Sequence, residues 1–213
     1  MCDDWPQKIK YDILNYVNSS VHPDKPNTYS LTRLLTCVRK TYYSKVNPKP
    51  VTDVKRAWPL FIGRLLDERW TPLFANNQVR TTWRCRNVPI TISGKYDYLD
   101  ENNVLTDLKC IKTLYYVKQN NAPSIEYVKQ VRFYAYLNSL EHAQIQYIGL
   151  DGEAKVFSVE VGDCTDLLNE LEDKAAKLYM ALLTKEPPAK EQGWICQYCD
   201  YQQECQQAGE PQQ

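Results

Sequence analysis

A chain of 213 residues, 43% hydrophobic and 12% aromatic, can bury the core of one large domain or of a domain with an appendage. Twenty-six basic residues balance twenty-six acidic ones, so the net charge of zero excludes a global basic field for nucleic acid. The opening "MCDDWPQKIKYDILNYV" lacks the apolar run of a signal peptide, and no stretch approaches the roughly 20 apolar residues of a bilayer span, so the expectation is a cytoplasmic protein with no membrane contact.

In chain order, helices are expected over 8–18 and 30–45, the second capped by Ser30, with Leu31, Leu34, Leu35 and Val38 on one face. Between 31 and 56 seven basic residues stand against Asp53 alone, side chains suited to phosphate. A third helix over about 57–70 ends near Pro72. Three β-rich runs follow, "VRTTWRC", "ITISGKYDYL" and "VLTDLKCI", parted by turn-forming "RNVP" and "DENN", and read as an antiparallel meander. Residues 124–140 return to helical spacing after Pro123. Two more strands, "AQIQYIGL" and "AKVFSVEV", flank the Asp151-Gly152 turn. A long amphipathic helix over about 165–184 buries Leu167, Leu168, Leu171, Ala175, Leu178 and Leu182 and is stopped by Pro187 and Pro188. The acidic, glutamine-rich tail is expected to fray from 202 onward.

Chemistry concentrates on the second and third β-runs, which offer Asp97 and Asp100, then Asp107 and Lys109. Side chains alternate along a strand, so Asp107 and Lys109 share a face while Leu108 points into the other layer. A hairpin turn at about 101–103 sets Asp97 nearly opposite Asp107. Two such carboxylates repel unless a hard cation, magnesium or manganese, sits between them. That pairing can activate water and neutralise charge on a phosphoryl group, with Lys109 orienting the nucleophile or meeting the developing charge. The bland alternative is a pair of solvated strand-end acids and a surface lysine.

Two stretches mix cations with aromatic rings, as single-strand binding requires. The first is Arg39, Lys40, Tyr42 and Tyr43; the second is Lys112, Tyr115, Tyr116 and Lys118. Helix-surface lysines beside half-buried tyrosines explain them equally well. Of eight cysteines only Cys196, Cys199 and Cys205 cluster, and in a reducing compartment clustered thiols point to a metal rather than to disulfides. A tetrahedral site wants a fourth thiolate, and spacing alone accepts either zinc or an iron–sulfur cluster. His22 and His142 read as ordinary surface residues, and Cys2, Cys85, Cys110 and Cys164 as packing residues.

"GKYDYL", then "DLK" ten residues on, then "QVRFY" on the next helix, resemble the G-x-x-D, D/E-x-K and Q-x-x-x-Y motifs of the RecB-type PD-(D/E)XK nucleases. With Cys37 in "SLTRLLTCVRKTYY" and the terminal C-x2-C-x5-C, the chain is similar to the CRISPR-associated Cas-four nucleases and to the iron–sulfur nuclease module of AddB, over about residues 30–205. The resemblance implies an α/β (α+β) fold, with a restriction-endonuclease-like core of mixed central sheet flanked by helices. It implies an N-terminal helical region (1–72), a nuclease core (73–185) and a cluster-binding tail (186–213). Asp97, Asp107 and the Leu108 carbonyl would hold Mg2+ or Mn2+, Lys109 would be the catalytic lysine, and Gln130 and Tyr134 would face the site. The family's G-x-x-x-H-E stretch is matched by "GRLLDERW", where Gly63 and Glu68 stand but Asp67 replaces the histidine that is a further metal ligand. Asp67 could ligate a hard cation in its place, or mark altered metal preference or weakened activity.

By the same resemblance, Cys37 joins Cys196, Cys199 and Cys205 around a [4Fe–4S] cluster, with [2Fe–2S] as the alternative. The implied function is a metal-dependent DNA exonuclease, 5′ to 3′ on single strands or free ends, working in spacer acquisition with the CRISPR adaptation integrase. Two competing readings stand beside it. One is a DNA-binding or adaptor subunit that cuts poorly, which Asp67 favours; the other is a zinc-stapled structural protein.

Overall fold

The computed structural model describes residues 5–19 and 25–208, so His22, Cys2 and residues 209–213 lie outside the described residues. The fraying expected from 202 onward is corrected by a helix over Gln202–Gln207, tied back to the body of its unit through the Arg39 and Tyr43 contacts to its carbonyls. In chain order the elements are α1 (Gln7–Ser19), β1 (Thr28–Ser30), α2 (Leu31–Leu34), α3 (Val38–Val46), α4 (Val54–Trp70) and β2 (Asn77–Arg84). There follow β3 (Thr91–Leu99), β4 (Leu105–Ile111), α5 (Tyr115–Asn120), α6 (Ile125–Leu137), β5 (His142–Gly149), β6 (Ala154–Glu160), α7 (Thr165–Thr184) and α8 (Gln202–Gln207). The fold is mixed α/β, with a six-stranded mixed sheet in the order β1-β3-β4-β5-β6 and β2 paired to β3, the architecture expected of a restriction-endonuclease-like core. The chain forms two compact units.

One unit comprises Met1–Pro23, Pro50–Thr81 and Lys95–Asp163. Here α1 packs on α4 through Ile13, Val17, Val54 and Ala57, with Trp5, Trp58 and Phe61 against them. The side chain of Asn18 clamps Val51, donating to its carbonyl and accepting from its N–H, both at 2.9 Å. Strand β4 is central, antiparallel to β3 (Tyr98↔Thr106) and parallel to β5 from Leu105↔Ala143 to Ile111↔Gly149, while β5 runs antiparallel to β6. Both α4 and α6 pack on β4, which is why Leu105, Thr106, Asp107 and Leu108 are buried in succession rather than alternately. The expected hairpin turn is built by Asp100, whose Oδ1 accepts the N–H groups of Asn102 and Val104 at 2.9 Å each, so this carboxylate forms the turn and not the site.

The other unit comprises Asp24–Lys49, Thr82–Gly94 and Cys164–Gln213. Strand β1 pairs in parallel with the start of β3 (Thr28↔Thr91), and α2 and α3 pack on α7. The α7 carboxylate of Glu172 is buried but accepts from Trp83 Nε1 at 2.8 Å and from Arg86 Nε at 3.0 and 3.1 Å. The single helix expected over 30–45 is two helices: α2 ends at Leu34, and Cys37 turns extended (φ −68°, ψ 121°) to cap α3, its Sγ accepting the Lys40 N–H at 3.4 Å. Cys37 is left half-buried at the break, while Leu31 and Val38 are fully buried.

Candidate functional site

The β3–β4 register pairs Leu99 with Leu105 and Tyr98 with Thr106, and Asp97 and Asp107 are the residues next beyond the last of these pairs. Asp97 is tied from two sides: Oδ2 accepts the Leu108 N–H at 2.6 Å, and Oδ1 accepts the Gln78 side-chain amide at 3.3 Å. Asp107 is only 1% exposed. Its Oδ1 accepts from Gln130 Nε2 at 3.1 Å, and its Oδ2 lies 2.6 Å from Lys109 Nζ while receiving no well-aligned hydrogen bond. Gln130, buried on α6, joins the group together: its Oε1 accepts from Lys109 at 3.4 Å and its Nε2 also reaches the Tyr134 hydroxyl at 3.4 Å. Lys109 Nζ further sits over the Tyr127 ring, 4.6 Å from its centre. The period of two on β4 and the i, i+4 spacing on α6 account for this convergence.

Burial, then the neighbouring Asp107, pushes the Asp97 carboxyl up to about 7. Burial raises Asp107 as well. Asp67, on α4, is raised by burial; Lys109 opposes the shift and Asp107 adds to it, which places the third acid within electrostatic reach of the pair. Burial raises the Tyr134 phenol, with Asp107 adding to it. Among the described residues, no three His, Cys, Asp or Glu side chains stand in metal-holding geometry. The donor set nonetheless suits a hard divalent cation. Asp97 and Asp107 are both desolvated, the second raising the first, and one oxygen of the more buried lacks an aligned donor.

Three residues at the site had no signal in the sequence. Gln78 has a left-handed backbone (φ 50°) and spans Asp97 and Lys95, accepting from Lys95 Nζ at 2.7 Å. Tyr127 flanks the lysine, and Tyr147 accepts the Ser124 N–H at 3.3 Å beside Tyr127.

The expected nucleic-acid residues separate. Arg39 is fully buried, and Tyr42 and Tyr43 nearly so, which corrects the expectation that they meet DNA. Arg39 instead donates to the main-chain carbonyls of Pro188 (2.6 Å), Ala208 (2.7 Å) and Cys205 (3.4 Å), and the Tyr43 hydroxyl donates to the Glu204 carbonyl at 3.2 Å. These residues seat the tail. Lys40 is half-buried; Lys112 and Tyr115 are exposed, and Lys118 is exposed but paired with Glu153 at 2.6 Å. The Tyr116 side chain lies outside the described ones. His142 is exposed and pairs with Glu160 at 3.1 Å.

Cys37, Cys196, Cys199 and Cys205 line one cavity of about 310 Å³, together with Lys40, Tyr43 and Tyr201. None of the described cysteines forms a disulfide. Burial raises the Cys37 thiol, with Cys196 among its lesser influences. The four thiols therefore surround a common space without converging on a point. Four thiolates around one space are the donors of a zinc site and of an iron–sulfur cluster alike. The donor set is compatible with either. Tyr201 is buried beside the cavity and Tyr198 is exposed, while the Trp194 side chain lies outside the described ones.

A family model described as the PD-(D/E)XK nuclease superfamily matches residues 15–206. Among solved structures, the chain is similar to a protein designated SSO0001, at 18% identity and a TM-score of 0.68, over 94% of this chain and 97% of that one. It is also similar to a phage-related exonuclease from Haemophilus somnus 129PT (17% identity, TM-score 0.48, 70% and 81% covered). A third likeness is to an alkaline exonuclease from Laribacter hongkongensis (12% identity, TM-score 0.44, 82% and 93% covered). At these identities the likeness bears on the fold, and the first match carries it. No curated protein matches the sequence.

Proposed function

Since the chain belongs to the PD-(D/E)XK nuclease superfamily, we propose that it is a divalent-cation-dependent DNA nuclease acting on single strands or free ends, with 5′ to 3′ exonuclease action favoured. The observation that carries this reading is the joining of Asp97, Asp107, Lys109 and Gln130 into one buried group.

Asp97 and Asp107, with the Leu108 carbonyl and Asp67 nearby, would hold Mg2+ or Mn2+. When bound, such a cation polarises the phosphoryl group and makes water a better nucleophile. The chain's own residues do the rest. Lys109, charged and partly desolvated, meets negative charge developing on the phosphoryl oxygens. Gln130 holds Asp107 Oδ1 and the lysine at once, so neither can swing out of line. Tyr134 keeps its proton at neutral pH and steadies the Gln130 amide. Exposed Lys112 and Tyr115, just past the end of β4, supply phosphate attraction and a stacking face for the strand.

The same reading gives Cys37, Cys196, Cys199 and Cys205 a structural iron–sulfur cluster, [4Fe–4S] before [2Fe–2S], supported by the cavity they line. A place in CRISPR adaptation beside the integrase rests on the resemblance of the motifs alone. The test is cleavage of 5′- and 3′-labelled single strands with magnesium, manganese and cobalt, on protein purified without air. Asp107→Ala or Lys109→Ala protein that cuts as fast as the unaltered chain would overturn the assignment of the active site.

A further inference from the structure

Helix α4 contains one glycine, Gly63, at its middle. Glycine in a helix interior is costly relative to alanine because it surrenders more backbone freedom on folding. Two reasons normally repay that cost, and neither holds here. The backbone is ordinary helix, with no left-handed φ, and a Cβ built at residue 63 meets nothing within 4 Å. The protein itself does not need the missing methyl group.

What lies over Gly63 is a cavity of about 260 Å³ lined by Leu60, Gly63 and Asp67 of α4 and by Leu108, Lys109 and Cys110 of β4. Asp67 is one turn on from Gly63 and so shares its face. The lining combines the charged Asp67, Lys109 and Arg64 with the apolar Pro59, Leu60 and Leu66, and Leu60 is 49% exposed. Apolar side chains together with a cation suit the ring face and sugar of a nucleotide, its phosphate at the lysine.

We propose that this cavity is the subsite for the nucleoside adjoining the scissile phosphate, and that Gly63 is a specificity-determining residue whose bare backbone keeps it open. The inference rests on the nuclease reading for the identity of its ligand. A cavity of this size takes one nucleoside, and its volume, set from α4, decides how large a base is admitted beside the reacting centre.

The test uses Gly63→Ala and Gly63→Leu in the full chain. Each is read by thermal unfolding, by kcat/KM on labelled single-stranded DNA, and by calorimetric binding of thymidine 5′-monophosphate with manganese present. Alanine is expected to raise the midpoint of unfolding by ~2–4 °C, since it improves the helix and strikes nothing. The same substitution is expected to lower kcat/KM about tenfold, and leucine about a hundredfold, because each added carbon takes volume from the subsite. Mononucleotide binding should weaken in parallel. Greater stability with poorer cleavage separates a substrate role from mere damage to the fold. If the unaltered protein does not cleave DNA, the nuclease reading fails, but weaker mononucleotide binding by Gly63→Leu still supports the subsite. Unchanged kcat/KM or unchanged nucleotide binding in Gly63→Leu overturns it.

Discussion

Lys109 Nζ lies 2.6 Å from Oδ2 of Asp107, two residues before it on the same strand. Burial acts to lower the lysine's pKa, but Asp107, with Asp97 and Tyr127 behind it, outweighs burial and leaves it raised. The ammonium is thus the counterion that makes so buried a carboxylate tolerable. Lys109→Ala is expected to lose about 3 kcal/mol of stability without divalent cation, and at least ~10²-fold in cleavage. Urea unfolding with and without manganese checks the first, and manganese should restore part of the loss by giving Asp107 another positive neighbour.

The Asp97 carboxyl, held up to about 7 by burial and Asp107, binds its proton more tightly folded than unfolded. Its contribution to stability is therefore greatest in mild acid and falls as pH rises from about 4 through 7. Asp107 shifts the same way. The metal-free protein should lose on the order of 5 °C of its unfolding midpoint between about pH 5 and 8, and Asp97→Asn should flatten that slope. Protons and cations compete for the site, so manganese affinity measured by calorimetry should climb with pH and level off above about 7.

Gln78 pairs a left-handed backbone with an amide that reaches Asp97 and a carbonyl that takes Lys95. Gln78→Gly removes both the strain and the amide, and is expected to gain about 1 kcal/mol from the backbone while weakening manganese binding about tenfold. Gln78→Asn, too short to span Asp97 and Lys95, should weaken binding while keeping part of the gain, since asparagine tolerates the left-handed region better than glutamine.

The antiparallel pairing that brings Asp97 to the Asp107–Leu108 stretch was legible in the sequence because "DENN" marks the turn between two β-rich runs. The ends of α7 were legible too, from its leucine stripe and the prolines after it. Gln78 was not, since its reach depends on a backbone reversal that no residue type announces. Strand β1 also escaped, as three residues paired to a distant strand leave no local pattern. Leu31, Leu34, Leu35 and Val38 keep helical period straight through Cys37, so the break there was hidden by a continuous stripe. Arg39, Tyr42 and Tyr43 looked like a nucleic-acid surface because charge and aromaticity in sequence do not reveal which way a helix turns.

If Cys37 shares a cluster with the three late cysteines, Cys37→Ser and Cys199→Ser should each abolish most visible absorption and bound iron on anaerobic purification, and equally so. Loss of absorption in Cys199→Ser with full retention in Cys37→Ser would remove Cys37 from the ligand set. Cys85→Ser, remote from the cavity lining, should leave both readings unchanged.

Arg39 grips the tail at three main-chain oxygens, those of Pro188, Cys205 and Ala208. Carbonyl groups are common to every residue, so this grip does not read the identity of the side chains it holds. Tyr201, buried with its hydroxyl on the Asn47 carbonyl, and Glu204, paired with Lys49, are held by their side chains, whereas the exposed glutamines of the tail are free to be rewritten. A library randomised at Gln197 and Gln203 should keep its seat on α3, which makes the tail a place where new surface chemistry can be grafted beside the cysteines without redesigning what anchors it.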